Sequence, residues 1–162
     1  MNEPDLTVQD LVARFPYMFQ GPHIGLNHFT GWFATFVQLC VAVDAVLGSD
    51  KRGFHWVQIK AKFGAARFYF AVDRRSPTRG ENQSESGEGV VVDVPIAFVR
   101  ALVDQAESIT SHLCIRCGQP ATTINLDGYV WTLCTDHRPP SGASRAQLKA
   151  WLKALKEGLH AV

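Results

Sequence analysis

Several common signatures of function are missing from this 162-residue sequence. It has no GxxxxGK[ST], GxGxxG, HExxH or GxSxG motif, which argues against the common nucleotide-binding, zinc-protease and serine-hydrolase sites. The net charge is only +1, so no global charge signal points to nucleic acid. The acidic start MNEPDLTVQD lacks a basic segment followed by an apolar run, and we therefore expect a cytoplasmic protein.

One apolar run, GWFATFVQLCVAVDAVLG at 31–48, is nearly long enough to cross a bilayer. It contains Gln38 and Asp44, and no basic residue flanks its start. An aspartate in the middle of a membrane span costs about 2.5–3.5 kcal/mol on insertion scales. We interpret the run as a core helix and expect no membrane partner.

Hydrophobic periodicity predicts an α+β fold, in which two or three helices pack on a small antiparallel sheet. The long helices are predicted over about 31–47, capped by Thr30, and over roughly 96–112. A short helix is predicted to begin at Thr7, and a third strand at 90–94.

The segment 54–72, FHWVQIKAKFGAARFYFAV, predicts a β-hairpin. A two-residue turn at Gly64–Ala65 would place Ile59 opposite Phe70 and Val57 opposite Val72 on a dry face. The other face would then be largely polar, as an antiparallel sheet with one solvated side requires.

We divide the chain into three parts: an α+β core at 1–113 with a flexible loop at 74–89, a zinc-knuckle module at 114–137, and a basic region at 138–162. The loop is rich in Ser, Gly, Glu and Arg and holds no large apolar residue. In the last part, Ser144 is predicted to cap a final amphipathic helix.

The strongest local signal is CIRCGQPATTINLDGYVWTLCTDH, in which Cys114, Cys117, Cys134 and His137 form the pattern C-x2-C-x16-C-x2-H. The spacer contains two short β-rich runs around LDG, which predicts a hairpin that returns the second pair to the first. Three thiolates and one imidazole suit tetrahedral Zn²⁺, and four protein ligands leave no open position for catalysis. The sequence therefore predicts a structural zinc site.

Two other interpretations of these thiols are weaker. Cysteines that bind no metal are one, and a redox dithiol is the other, although redox CxxC pairs usually follow a strand and this one follows a helix. His112 is a less favoured ligand, interpreted as a surface histidine at a helix end, and Cys40 is predicted to lie in the core.

Basic residues are concentrated in two regions. Residues 51–79 hold eight Lys or Arg and one acid, and residues 138–162 hold five Lys or Arg and one acid. Like charges opposed across strands destabilise a sheet unless something offsets them, so nucleic acid or an acidic protein is a candidate partner, against a merely solvated basic face. The candidate partner-binding residues are Lys60, Lys62, Arg67, Tyr69, Lys149 and Lys153.

Two other classes of function stay open. A nuclease-like enzyme would build a cleft around His55, or around His23 and His28, although none of the three has an acid at a telling spacing. A structural or oligomerising protein would use the face of the last helix that carries Trp151 and Leu155. The sequence favours a non-enzymatic zinc-stabilised binding protein over both.

The blocks HFTGWFATFVQLCVAV, VQIKAKFGAARFYF, LVDQAES and CIRCGQPA…GYVWTLCTDH resemble a group of small proteins from phages, prophages and other mobile elements. That group carries a QxKEKFGxLRFY-like strand block and closes with CxxCG…W.TLC..H. The resemblance covers about residues 22–137 and implies one domain of helix, hairpin, helix and zinc knuckle, without an assigned reaction. This chain departs from the pattern at Ala61, where an acid is usual, and at Ala65–Ala66, where Gly and Leu are usual.

Overall fold

A computed structural model of the protein describes residues 6–21, 24–25, 30–73 and 93–159. The predicted α+β class is confirmed, because these residues form helices around two separate antiparallel hairpins. The helices are α1 (Val8–Arg14), α2 (Phe33–Leu47), α3 (Val94–Thr110) and α4 (Arg145–Leu159). The strands are β1 (His55–Lys62), β2 (Ala65–Ala71), β3 (Thr122–Leu126) and β4 (Tyr129–Leu133).

Local capping fixes several helix ends where the sequence predicted them. At α1 the amide of Asp10 donates to Thr7 Oγ1 at 3.2 Å, and the amide of Thr7 donates to Asp10 Oδ2 at 2.9 Å. Ser144 and Gln147 make the same reciprocal pair at α4, at 3.3 and 2.8 Å. Gly48 ends α2 with φ of 60°, a conformation that glycine adopts without steric cost.

The predicted third strand is wrong where the structure describes it. Asp93 is the extended N-cap of α3, and Val94 is the first helical residue. Pro95 explains the difference, because its fixed φ and missing N–H suit the first turn of a helix. Residues 90–92 and the predicted loop at 74–89 lie outside the described residues, as do His23 and His28.

The first hairpin forms, but its predicted register is wrong. Its turn residues are Phe63 and Gly64, with φ of 53° and 76°, and Ile59 pairs with Phe68. Two positive φ values fit a type I′ turn, whereas the predicted Gly64–Ala65 turn would have placed a positive φ at Gly64 alone. The error moves the pairing by two positions, so Ile59 and Phe68 still point into the core.

A second prediction about that hairpin, that Val57 lies on the dry face, is wrong because β1 contains a β-bulge. The register shifts between Trp56 and Gln58, which leaves Val57 out of the paired positions and half exposed. The bulge turns Trp56 inward, where it is fully buried and pairs with Phe70. Val57 therefore does not join the dry face that the sequence predicted.

The core is built around α2 and the inner face of the first hairpin. The Phe36 ring of α2 stacks on Phe68 of β2 at 5.3 Å between centroids. By length and composition, residues 30–47 could cross a membrane, but most of the large apolar side chains of α2 pack into this core, and Val41 is exposed. Asp44 accepts hydrogen bonds from Lys51 at 2.6 Å and Tyr17 at 2.8 Å, and these partners hold the pKa of its carboxyl below the usual value.

Helix α3 covers the outer edge of β2 with polar side chains. The edge amides of Ala66 and Phe68 donate to Thr110 Oγ1 and Glu107 Oε1, each at 2.9 Å. Glu107 also pairs with Arg67, whose Nη1 lies 3.5 Å from Oε2. An edge strand otherwise presents unpaired N–H groups to other chains. The side chains of α3 therefore satisfy the hydrogen-bond donors at the edge of β2.

We expect Glu107→Ala to destabilise the protein by about 1–3 kcal/mol, because the half-buried amide of Phe68 loses its acceptor. Glu107→Gln keeps an oxygen for that amide and loses only the ion pair, so it should cost no more than about 1 kcal/mol. Urea unfolding of both variants measures the difference. Equal losses would show that the pair with Arg67, and not the edge amide, is the main role of Glu107.

Candidate metal centre

Two segments bring the four predicted ligands together. Cys114 and Cys117 lie in the knuckle, residues 114–118, which follows the end of α3. Cys134 and His137 lie on a single 3₁₀ turn after β4, closed by the His137 amide donating to Cys134 O at 3.1 Å. The β3–β4 hairpin between them turns at Asp127–Gly128, as the LDG sequence predicted.

Backbone hydrogen bonds hold the knuckle in its fold. The amide of Gly118 donates to Cys114 O at 2.9 Å, and Gly118 has φ of 73°, so a glycine is favoured there. The amide of Ile115 donates to Thr132 O at 3.0 Å, which ties the knuckle to β4. The first ligand pair is therefore positioned against the strand that delivers the second pair.

Three of the separations between ligand atoms are close to those of a tetrahedral site. All four lie within 4.8 Å of one another. Cys117 Sγ and Cys134 Sγ are 3.6 Å apart, and His137 Nδ1 lies 3.6 Å from Cys114 Sγ and 3.2 Å from Cys134 Sγ. Tetrahedral zinc, with bonds of about 2.3 Å to sulfur and 2.0 Å to nitrogen, requires about 3.8 Å between sulfurs and about 3.5 Å from sulfur to nitrogen. The donor set therefore fits a four-coordinate ion.

The local electrostatics also suit a bound cation. Burial opposes ionisation of Cys114, but the amides of Cys134, Cys117 and Arg116 point at its sulfur and together hold the pKa of the thiol below its usual value. Burial and the neighbouring thiols raise the pKa of Cys117 to about 11. Crowded thiolates repel one another, and a divalent cation removes that penalty.

A short segment before α2, Thr30–Trp32, braces the knuckle and is called the brace below. Thr30 Oγ1 donates to Arg116 O at 2.6 Å, and Trp32 Nε1 donates to Leu113 O at 2.9 Å. The amide of Gly31 donates to Ile115 O at 3.0 Å. The predicted role of Thr30 as the cap of α2 is therefore wrong, because its hydroxyl is used by the knuckle and the N-cap is Trp32.

Glycine is required in the middle of the brace. A Cβ on Gly31 would overlap the carbonyl oxygen of Cys114 and lie 2.6–2.7 Å from the amide nitrogens of Gly118 and Cys117. Real Cβ atoms essentially never approach so closely. Sequence reasoning missed this contact, since the motif TGW carries no local signal of a partner more than 80 residues away.

The other sulfur and imidazole groups that the structure describes stay apart from this cluster. Cys40 is fully buried in the core, as predicted, and burial raises the pKa of its thiol to about 12. His112 is exposed, with Nδ1 2.9 Å from the Ser111 hydroxyl and 3.1 Å from Ser108 O. His55 Nδ1 lies 3.0 Å from Gly53 O.

The outer face of the first hairpin carries the predicted basic residues. Lys60 lies directly opposite Arg67, and Lys62 lies two positions nearer the turn. Arg67 is occupied by Glu107 and by Ala66 O, whereas neither lysine pairs with a carboxylate among the described residues. The Nζ atom of Lys60 lies 4.8 Å from the ring centroid of Tyr69, which is 41% exposed.

The lysines of α4 lie elsewhere. Lys149 and Lys153 are exposed, and Lys153 approaches Glu157 at 3.8 Å. Lys156 Nζ lies 5.9 Å from the Tyr129 ring, on the face of β4 opposite to Val130. The turn of the first hairpin contacts the Val130 face of the second hairpin, whereas Lys156 of α4 lies by the Tyr129 face.

Comparison with known proteins identifies no relative: no protein-family description, no curated protein and no solved structure matches this chain.

Proposed function

We propose that this protein is a non-enzymatic, zinc-stabilised nucleic-acid-binding protein. The four-ligand cluster supports the structural half of the proposal, because a closed Cys3His set offers an ion no open position for substrate. In a reducing cytoplasm its thiols would bind metal rather than form disulfides. The resemblance to proteins of phages and mobile elements supports an accessory gene of such an element as the origin.

The observation that supports nucleic-acid binding is that Lys60 and Lys62, on the outer face of the first hairpin, pair with no carboxylate among the described residues. Lys60 and Lys62 are exposed on the same side of β1, and Arg67 lies across from Lys60. Like charges directly opposite each other destabilise a sheet. Glu107 pairs with Arg67, so a polyanion bound over this face would contact Lys60, which lies opposite Arg67, and the neighbouring Lys62.

The other two functions have weaker support. Of the three histidines predicted for an enzyme, the structure describes only His55, whose Nδ1 lies 3.0 Å from the carbonyl oxygen of Gly53. An oligomer formed through α4 would use Trp151 and Leu155, but Leu155 is 3% exposed and Trp151 packs on the same core. The apolar side of α4 is therefore already used within the chain.

Nucleic-acid binding is tested with two double variants of equal charge. Lys60→Ala with Lys62→Ala removes the hairpin lysines, and Lys149→Ala with Lys153→Ala removes two lysines of α4. We expect the first to weaken binding of a labelled oligonucleotide roughly tenfold at about 0.15 M salt, and to reduce the slope of log K against log salt by about 1.4 for single strands. The α4 variant should change binding less than threefold.

Fluorescence anisotropy at several salt concentrations gives both quantities. No binding of the parent protein to any oligonucleotide would overturn the proposed function. Equal losses in the two double variants would show a general charge effect without a site on the hairpin.

A further inference from the structure

The turn of the first hairpin exposes an aromatic ring beside Lys60 and Lys62, which pair with no carboxylate among the described residues. Phe63 is 71% exposed, the most exposed large hydrophobic side chain that the structure describes. Lys62 Nζ lies 5.2 Å from its ring centroid. A soluble protein gains nothing for its own core from a phenylalanine at this position, and the contact between an exposed ammonium and a ring is weak enough for a ligand to replace.

The backbone beside that ring is held in place. Gly64, next to it, is buried, and its carbonyl accepts a hydrogen bond from Thr132 Oγ1. A Cβ on Gly64 would lie 2.7 Å from that hydroxyl and 3.2 Å from Val130. The turn is thus wedged against the β3–β4 hairpin, and Phe63 projects from a fixed base where little conformational entropy is lost on binding.

A second exposed ring lies on the same face. Tyr69 pairs with Gln58 on β1, and Lys60 and Lys62 lie between that pair and Phe63. Phe63 lies five positions after Gln58, a span of about 17 Å at 3.3–3.4 Å per residue. This length suits a short stretch of a single strand whose bases stack on both rings.

We infer that the outer face of the first hairpin is a stacking platform for single-stranded nucleic acid, with Phe63 and Tyr69 as base-stacking rings and Lys60 and Lys62 as phosphate contacts. This inference rests on the proposed function and adds the class of nucleic acid. Exposed rings interleaved with ammonium groups match unpaired bases, whose π-faces are free. A duplex hides those faces within its own base stack, so Phe63 would contribute nothing to its binding.

The chain provides a matched control for Phe63. Tyr129 is 68% exposed and also has a lysine near its ring, but it lies on the far face of the second hairpin. We expect Phe63→Ala to weaken binding of a 15-nucleotide single strand of mixed sequence by about 5- to 100-fold, the loss of one base stack. The salt slope should stay unchanged, and Tyr129→Ala should alter affinity less than twofold. Phe63→Trp should bind as well as the parent, and the single strand should quench its added indole fluorescence.

The outcomes separate this inference from the proposed function. If the hairpin lysine variant loses affinity but Phe63→Ala does not, stacking is overturned while nucleic-acid binding stands. Equal affinity for the single strand and for its duplex would also overturn the inference. No binding to either would remove both. Polyglutamate is the competitor that tests for an acidic protein partner. If it competes as effectively as the single strand at equal charge concentration, the face binds acidic proteins and the stacking platform is overturned.

Discussion

Replacing Cys134 with serine should remove the bound metal and lower the melting temperature by about 10 °C or more. Structural zinc contributes about 10–16 kcal/mol of apparent binding free energy in small zinc-finger peptides, comparable to the whole stability of a domain. Loss of only about 4 kcal/mol of that contribution shifts the melting temperature by about 8–16 °C in a chain of this size. Metal content by mass spectrometry under native conditions and thermal unfolding measure the two effects.

Cys40→Ala is the control, because Cys40 is also buried but lies outside the ligand cluster. It should keep one equivalent of metal and lose about 1–2 kcal/mol for the small cavity. A strong chelator should destabilise the parent and Cys40→Ala to the same extent, and leave Cys134→Ser unchanged. Identical melting curves for Cys134→Ser and the parent would refute the metal site.

Gly31→Ala should be the most damaging single-methyl substitution at a described glycine of ordinary backbone geometry. The added carbon meets a carbonyl oxygen and two amide nitrogens of the knuckle, and backbone atoms cannot turn aside as a flexible side chain can. Overpacking typically costs about 1–3 kcal/mol, and we expect at least the upper value here. Zinc should also pass faster to a chromogenic chelator, since the knuckle must shift to admit the methyl group.

Gly21→Ala is the matched control for this substitution. Gly21 is exposed, and a Cβ there would have nothing within 4 Å. Its replacement should leave both the urea midpoint and the rate of zinc transfer within error, or raise stability slightly through the unfolded chain. If Gly31→Ala behaves like Gly21→Ala, the brace does not support the knuckle.

The sequence was most informative where chemistry is local. Two residues lie between Cys114 and Cys117, and the spacer before Cys134 contains its own turn signal. The grouping of the ligands therefore follows from their spacing. The inward positions Ile59 and Phe68 also follow from alternation, even though their pairing does not. The register depends on Phe63 accepting a positive φ, which a phenylalanine seldom does.

Contacts between distant segments left no readable pattern. Thr30 looks like a helix cap because its hydroxyl has the right chemistry for one. Only the fold shows that this hydroxyl donates instead to the carbonyl oxygen of Arg116. In the same way, nothing near Glu107 in the sequence shows that its carboxylate accepts a hydrogen bond from the Phe68 amide at the edge of β2. A side chain can hydrogen-bond either to its sequence neighbours or to a distant segment. The sequence pattern indicates only the first kind of partner.

The brace has a consequence for synthesis on the ribosome. Its hydrogen bonds join residues that are 81 and 86 positions apart in the chain. At about 5–20 residues per second, roughly 4–16 s of translation separate the emergence of these partners. Until residues 113–116 have emerged, the brace lacks its hydrogen-bond partners, so this contact forms only late in synthesis.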